Sequence, residues 1–415
     1  METTGDEMET AGDRDQLHLT PLRALGQRHG VVVDFREVAF VVEAADADGS
    51  DMSNFAQAAV NTFAWPVRAL AAKLRKPKKQ KFMVVNNVSG VLRPGSSTLL
   101  LGPPACGKST LLKIVAGRLK HHVSTAAYWE GEVSYNGLPA SQFEATKVAS
   151  YVAQVDNHLP LVTVENTFKY ARTVVDSDQE HVRDDIEAVM EDLGLSNAAK
   201  TVVGGLFVRG VSGGERKRTT IGEMLFAGQP VMCLDEITTG LDSSTAFEVV
   251  KLINDTAREG VSQKRGATVL MTLLQPSPEL IDTFDDVIIM AEGRFLFHGP
   301  VAEAVPYFES LGYVCKAGRS KGEFLVDLTT HRRQRYFVVE SGGPESVQAM
   351  ADAWEAFVAQ GGLEEHREAV QNAAAVHRAD SAPASLGAGN KFPLTGAVEL
   401  RVVLRRQLEL FWADR

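Results

Sequence analysis

The stretch Gly102-Pro103-Pro104-Ala105-Cys106-Gly107-Lys108-Ser109-Thr110 leaves this chain few folds to choose from. It follows the apolar run Thr98-Leu99-Leu100-Leu101 and precedes Leu111 to Ala116, which has helical character. A buried strand, a glycine loop and a helix in that order are the setting of a phosphate-binding P-loop. Glycines let the backbone curl so that N–H groups turn inward, and the new helix adds its positive end. In such a loop Lys108 reaches the β- and γ-phosphates and the Ser109 hydroxyl ligates Mg²⁺.

A second apolar run, Val231-Met232-Cys233-Leu234, ends in the carboxylates Asp235 and Glu236. The C-terminal edge of a parallel sheet is where such folds bind ligands. There Asp235 is expected to hold Mg²⁺, and Glu236 to orient or deprotonate an attacking water. Gln154 stands just past a strand read over Val148 to Val152. Val211-Ser212-Gly213-Gly214-Glu215-Arg216-Lys217-Arg218 places a serine and two glycines before a helix start, a second anion-binding end.

Composition narrows the class. The 415 residues allow two or three domains, and 44% hydrophobic with 23% charged residues is ordinary for a globular protein. A net charge of −10 argues against a general nucleic-acid binder, so no nucleic-acid partner is expected. Cys106, Cys233 and Cys315 make no metal-binding spacing. No run of about 18–20 apolar residues occurs, so no transmembrane helix is expected in this chain.

Residues 1–30 are acidic and without periodicity, and read as a disordered tail. Strands are expected over Val31–Phe35, Val38–Val42, Phe82–Val85 and Val88–Leu92, and a hairpin ends at Asn136-Gly137. Apolar spacing over 55–70 predicts an amphipathic helix, and the basic run after it is either a solvated loop or a contact with an anionic membrane surface. Residues from about 157 to 228 read mostly helical, with helices over Glu165–Val174, Val182–Leu193 and Gly214–Phe226. Apolar strands at 231–234, 268–272 and 287–290 then alternate with helices, as a mostly parallel sheet requires.

The P-loop, Gln154, Ser212-Gly213-Gly214-Glu215, Leu234-Asp235-Glu236 and Gly240-Leu241-Asp242, in this order and spacing, resemble an ABC-transporter nucleotide-binding domain. Asp235-Glu236-Ile237-Thr238-Thr239-Gly240-Leu241-Asp242 and Leu274-Gln275-Pro276-Ser277-Pro278-Glu279 narrow the likeness to the first such domain of full-size G-subfamily, or pleiotropic-drug-resistance, transporters. The resemblance covers residues 31–330 and implies an α/β fold: a P-loop NTPase core with a mostly parallel sheet, an antiparallel β subdomain and a helical signature subdomain. It implies ATP and Mg²⁺ as cofactors, with Ser109, Gln154 and Asp235 at the metal and Glu236, Gln154 and Lys108 in catalysis. It further implies a head-to-tail partner domain, on which Ser212 and Gly214 complete the nucleotide site in trans, while Asp242 lies across the interface. Membrane-spanning domains would be moved by this pair, placing the chain on the cytosolic side of a membrane transporter. The other class of function considered is a soluble ATP-dependent switch that transports nothing.

One motif departs from the family. Other branches read His-Gln-Pro where this chain reads Leu274-Gln275-Pro276, so the histidine that contacts the γ-phosphate is replaced by leucine. Loss of one positioned group of this kind typically costs about 10²–10³ in rate, so a slow site is expected unless Gln275 substitutes. Phe82 and Phe40 are the candidates to stack on adenine, against a plain core role for each. Residues 331–394 read as connector and linker, with a helix at Ala349–Ala359. Residues 395–415 resemble the amphipathic helix that leads into membrane segments, with Trp412 and the arginines at headgroup level on the inner surface; packing on its own domain is the alternative. On this likeness the chain is expected to be a fragment of a longer transporter, the product of a truncated gene model, or a soluble half that lacks its membrane partner.

Overall fold

The computed structural model describes residues 30–45, 79–124, 127–175, 182–205, 207–259, 266–315, 318–330, 332, 336 and 343–363. The acidic tail, the expected 55–70 helix with most of its basic run, the 371–390 linker and the 395–415 helix lie outside these residues.

Two long antiparallel strands, β1 (Val33–Ala45) and β2 (Lys79–Leu92), precede β3 (Ser96–Leu101), which leads into helix α1 (Lys108–Val115). Strands β4 (His122–Ser124), β5 (Ala127–Tyr135) and β6 (Leu138–Pro139) join β1 and β2 in an antiparallel sheet, order β2-β1-β5-β4 with β6 on β5. Asn136 and Gly137 both adopt positive φ between the paired residues Tyr135 and Leu138, the two-residue hairpin turn the Asn-Gly pair favours. Where the sequence suggested two strands on each side of Arg36-Glu37 and of Asn86-Asn87, the structure has single strands with bulges. Glu37 and Asn87 turn left-handed, the register slips there, and the Glu37 N–H donates to Ser89 Oγ at 2.9 Å.

The second sheet holds β3 with β7 (Ala149–Val152), β8 (Val231–Asp235), β9 (Thr268–Thr272), β10 (Asp286–Ala291) and β11 (Arg294–Pro300), in the order β11-β10-β3-β9-β8-β7. Every pairing is parallel except the β10–β11 hairpin at the edge. Every residue of β3, β8, β9 and β10 is buried, which explains why these strands read as unbroken apolar runs rather than as alternating ones. Phe35 of the first sheet meets Phe295 of the second edge-on at 6.1 Å, inside one continuous core.

Helices α2 (Val164–Val175), α3 (Val182–Asp192) and α4 (Gly213–Ala227) form the expected helical region. A Cβ on Gly222 would sit 2.3 Å from the Phe168 ring, so α2 and α4 pack closely only because that position is glycine. Helix α5 (Ser243–Glu259) follows β8, and the short α6 (Pro278–Ile281), α7 (Val301–Ser310) and α8 (Lys321–Leu328) complete this part of the chain. Helix α9 (Val347–Ala359) falls in the stretch read as connector, yet it joins the core. Its Trp354 ring lies 5.2 Å from Phe297 and 5.4 Å from Tyr307. No helix among the described residues is long and apolar enough to cross a membrane.

Candidate functional site

Because β3, β7, β8 and β9 run parallel, the residues that follow them emerge on one edge of the sheet. The glycine loop follows β3, Gln154 follows β7, Glu236 follows β8 and Leu274 follows β9. Ala105, Glu236 and Gln275, all at this edge, hold left-handed backbone that non-glycine residues seldom adopt, a concentration typical of functional sites.

The glycine loop is shaped by steric necessity. A Cβ on Gly102 would lie 2.2 Å from the Met290 carbonyl oxygen, and one on Gly107 would lie 2.5 Å from that of Val84, at a φ of 108°. Gly107 is also the N-cap of α1 and offers no side chain to cap it, so the first N–H groups of α1 remain available for an anion. Lys108, 7% exposed, donates to the carbonyls of Gly102 at 2.8 Å and Pro103 at 2.9 Å, which sets its ammonium across the loop that Pro104, Ala105, Cys106, Ser109 and Thr110 complete. Cys106 is buried, and burial pushes its thiol up against the opposing pull of Lys108. It fills the loop interior.

The carboxylates behind β8 differ in setting. Asp235 is buried and accepts hydrogen bonds from Thr272 Oγ1 at 2.8 Å and Tyr151 Oη at 3.0 Å. Burial, then the Asp235 charge, holds the Tyr151 phenol protonated, so it stays a donor. Glu236 is half-buried, and its N–H donates to both the carbonyl and the hydroxyl of Thr272. Its Oε2 accepts from Gln154 Nε2 at 2.6 Å, a contact across 82 residues of sequence. Gln154 and Glu236 thus meet, while the Asp235 carboxylate is turned to Thr272 and Tyr151. Among the described residues no group of three or more His, Cys, Asp or Glu could hold a metal ion by itself. One buried carboxylate beside the glycine loop fits instead a Mg²⁺ that would share its shell with substrate oxygens.

Ser212 caps α4 in a reciprocal box: Ser212 Oγ accepts from the Glu215 N–H at 3.2 Å, and Glu215 Oε2 from the Ser212 N–H at 2.8 Å. These bonds hold the Glu215 carboxyl below its ordinary range. Ser212 and Gly213 are exposed, and a Cβ on Gly213 would meet nothing within 4 Å. Gly214 lies under Leu241, whose Cδ2 would stand 3.3 Å from an added Cβ, so the signature loop abuts the Gly240-Leu241-Asp242 turn. Asp242 is exposed, and its carboxylate, lowered by that bond, accepts from the Thr245 N–H at 3.1 Å.

Leu274 is 52% exposed, an apolar side chain left open at the edge. Of the two aromatic candidates, Phe40 packs against the core, whereas Phe82 is 52% exposed and is no core residue. Sequence reasoning missed Tyr151, Thr272 and Lys217. The first two are polar residues inside apolar strands, which is itself the signal; Lys217 is a lysine only 2% exposed.

The model of the ABC transporter family matches residues 85–239, which include the glycine loop, Gln154, Ser212 to Glu215, Asp235 and Glu236. Among curated proteins, the chain is similar to ABC transporter G family member 51 of Oryza sativa subsp. japonica, at 36% identity over 303 residues, 65% of this chain and 20% of that protein. It is 32% identical over 373 residues to ABC transporter G family member 31 of Arabidopsis thaliana, covering 81% of this chain and 25% of the relative. ABC transporter G family member 5 of Dictyostelium discoideum shares 37% over 269 residues, 64% of this chain and 17% of its own length. The chain therefore spans a quarter or less of the relatives it matches.

Proposed function

From a chain that carries an ABC-transporter nucleotide-binding domain of the G-family kind, we propose an ATP-hydrolysing module that drives export by a membrane transporter. The observation that carries the reading is the 2.6 Å contact between Gln154 and Glu236, on the sheet edge that also presents the glycine loop.

Lys108 and the free N–H groups of α1 bind the phosphate tail, while the glycines at 102 and 107 let the backbone close around it. Ser109, Asp235 and Gln154 would hold Mg²⁺, which would supply charge neutralisation to the phosphate tail. The cradle a Cβ would fill and the single buried carboxylate fit such a pair of ligands. Glu236 orients or deprotonates the attacking water from the end of β8. Ser212 and Gly214 serve a second nucleotide-binding domain packed head to tail, with Asp242 at the same interface. Membrane-spanning partners convert closure of that pair into transport, on the cytosolic face. Leu274, with no proton or hydrogen bond to give, makes turnover slow.

Steady-state MgATP hydrolysis by the full chain tests the reading. Slow turnover that Glu236→Gln abolishes, with ATP binding retained, is the expected outcome. Absence of Lys108-dependent MgATP binding contradicts it.

A further inference from the structure

Lys217 is a buried charge to which the proposed chemistry assigns no task. It lies on α4 with only 2% of its side chain exposed, and lysines are almost never that buried unless paired. Its Nζ donates to the carbonyl of Gln154 at 2.9 Å and of Ala153 at 3.3 Å, and pairs with Asp156 Oδ1 at 2.9 Å. An ammonium has three protons to give, and these acceptors take all three. The same Asp156 oxygen accepts from Thr220 Oγ1 at 2.7 Å. His158 Nε2 stands 2.8 Å from that hydroxyl, and His158 Nδ1 stands 3.3 Å from Glu223 Oε2. Lys217, Thr220 and Glu223 follow one another at three-residue spacing on one face of α4. That face grips the loop 153–158 along its length.

We propose that Lys217 is a positioning residue that ties Gln154, through its backbone carbonyl, to the helix that Ser212 caps. The Gln154–Glu236 contact and the signature loop then move as one unit, so a displacement of α4 is felt at the catalytic carboxylate. The inference rests on the reading of Gln154 and Glu236 as nucleotide-site residues. Its physical content is that the anchor is a main-chain one: the carbonyl is held, and the side-chain amide stays free to reach Glu236.

The test combines hydrogen exchange across residues 153–158 with the Mg²⁺-dependent affinity of a fluorescent ATP analogue. It compares the full chain as wild type, Lys217→Gln, Lys217→Arg, Gln154→Ala and the Lys217→Gln/Gln154→Ala pair. Lys217→Gln is expected to speed exchange in 153–158 by about tenfold while the β3 amides keep their protection. It should lose the Mg²⁺-dependent part of the affinity to the same extent as Gln154→Ala, and the pair should be no weaker than Gln154→Ala alone. Lys217→Arg, which keeps the charge, should recover most of the loss. Unchanged exchange in 153–158, or losses that multiply in the pair, overturn the proposal. If Lys217→Gln loosens the whole molecule, Asp156→Asn replaces it, judged by the same two readouts. A wild type that binds no analogue defeats the nucleotide reading, whereas exchange in 153–158 still decides whether Lys217 anchors the loop.

Discussion

The edge behind the parallel strands and the tip of the signature loop both present backbone N–H groups and glycines, yet they are built oppositely. At the strand edge three groups are tied into the buried sheet: Asp235 to Thr272 and Tyr151, Glu236 through its N–H to Thr272, Gly102 against Met290. At the signature loop the bonds are local. Ser212 and Glu215 satisfy each other, and Gly213 faces open space. The strand edge has what a nucleotide's phosphates need within one chain; the loop offers its groups outward, as a contribution to a site on another domain requires. A site assembled from one half tied to the sheet and one locally capped half can open and close at the loop while the strands stay in place, and the proposed Lys217 anchor carries that movement to Gln154.

Substitutions sort along that contrast. Gly102→Ala places a Cβ against backbone and should cost about 3 kcal/mol in urea unfolding, because neither Met290 nor β3 can yield. Asp235→Ala leaves the Thr272 and Tyr151 hydroxyls without their acceptor, and should cost about 2 kcal/mol by the same measurement together with loss of Mg²⁺-dependent nucleotide binding. Ser212→Ala removes only a cap, for about 1 kcal/mol, confined to exchange at the start of α4. If Ser212→Ala proved the costlier, the contrast would fail.

The smallest effect is one of pH. Since the folded Glu215 carboxyl is depressed by its hydrogen bonds, its contribution to the cap is fully present above the unfolded value and is lost as pH falls through the folded one. Protection of the first turn of α4 should therefore decline in acid in the wild type but not in Glu215→Gln. Thiol labelling sharpens the comparison further. Cys233, pushed up to about 12 by burial, and Cys106 should resist reagent in the native chain, while the partly exposed Cys315 reacts.

The strands of the parallel sheet were legible because burial on both faces leaves an unbroken apolar run, as at Val231–Leu234. The loop before α1, the carboxylates at the end of β8 and the serine before α4 were legible as positions because each is set by neighbours in sequence. The bulges at Glu37 and Asn87 were not, since a polar interruption looks the same whether the strand ends or merely kinks. Lys217 escaped for a different reason: its partners lie 63 and 64 residues away, and only the fold shows that a helix lysine faces inward. The helix at 347–359 was read from its spacing, but not its seat against Phe297 and Tyr307, which depends on where β11 and α7 come to lie.

The most direct measurement is the ATP affinity of Lys108→Ala and Ser212→Arg side by side, as monomers, with a fluorescent nucleotide. If the strand edge binds nucleotide alone and the loop serves another domain, Lys108→Ala weakens binding about 100-fold, roughly 2.7 kcal/mol, and Ser212→Arg leaves it within about twofold. Equal loss in both variants would place the loop in the chain's own site and contradict the account.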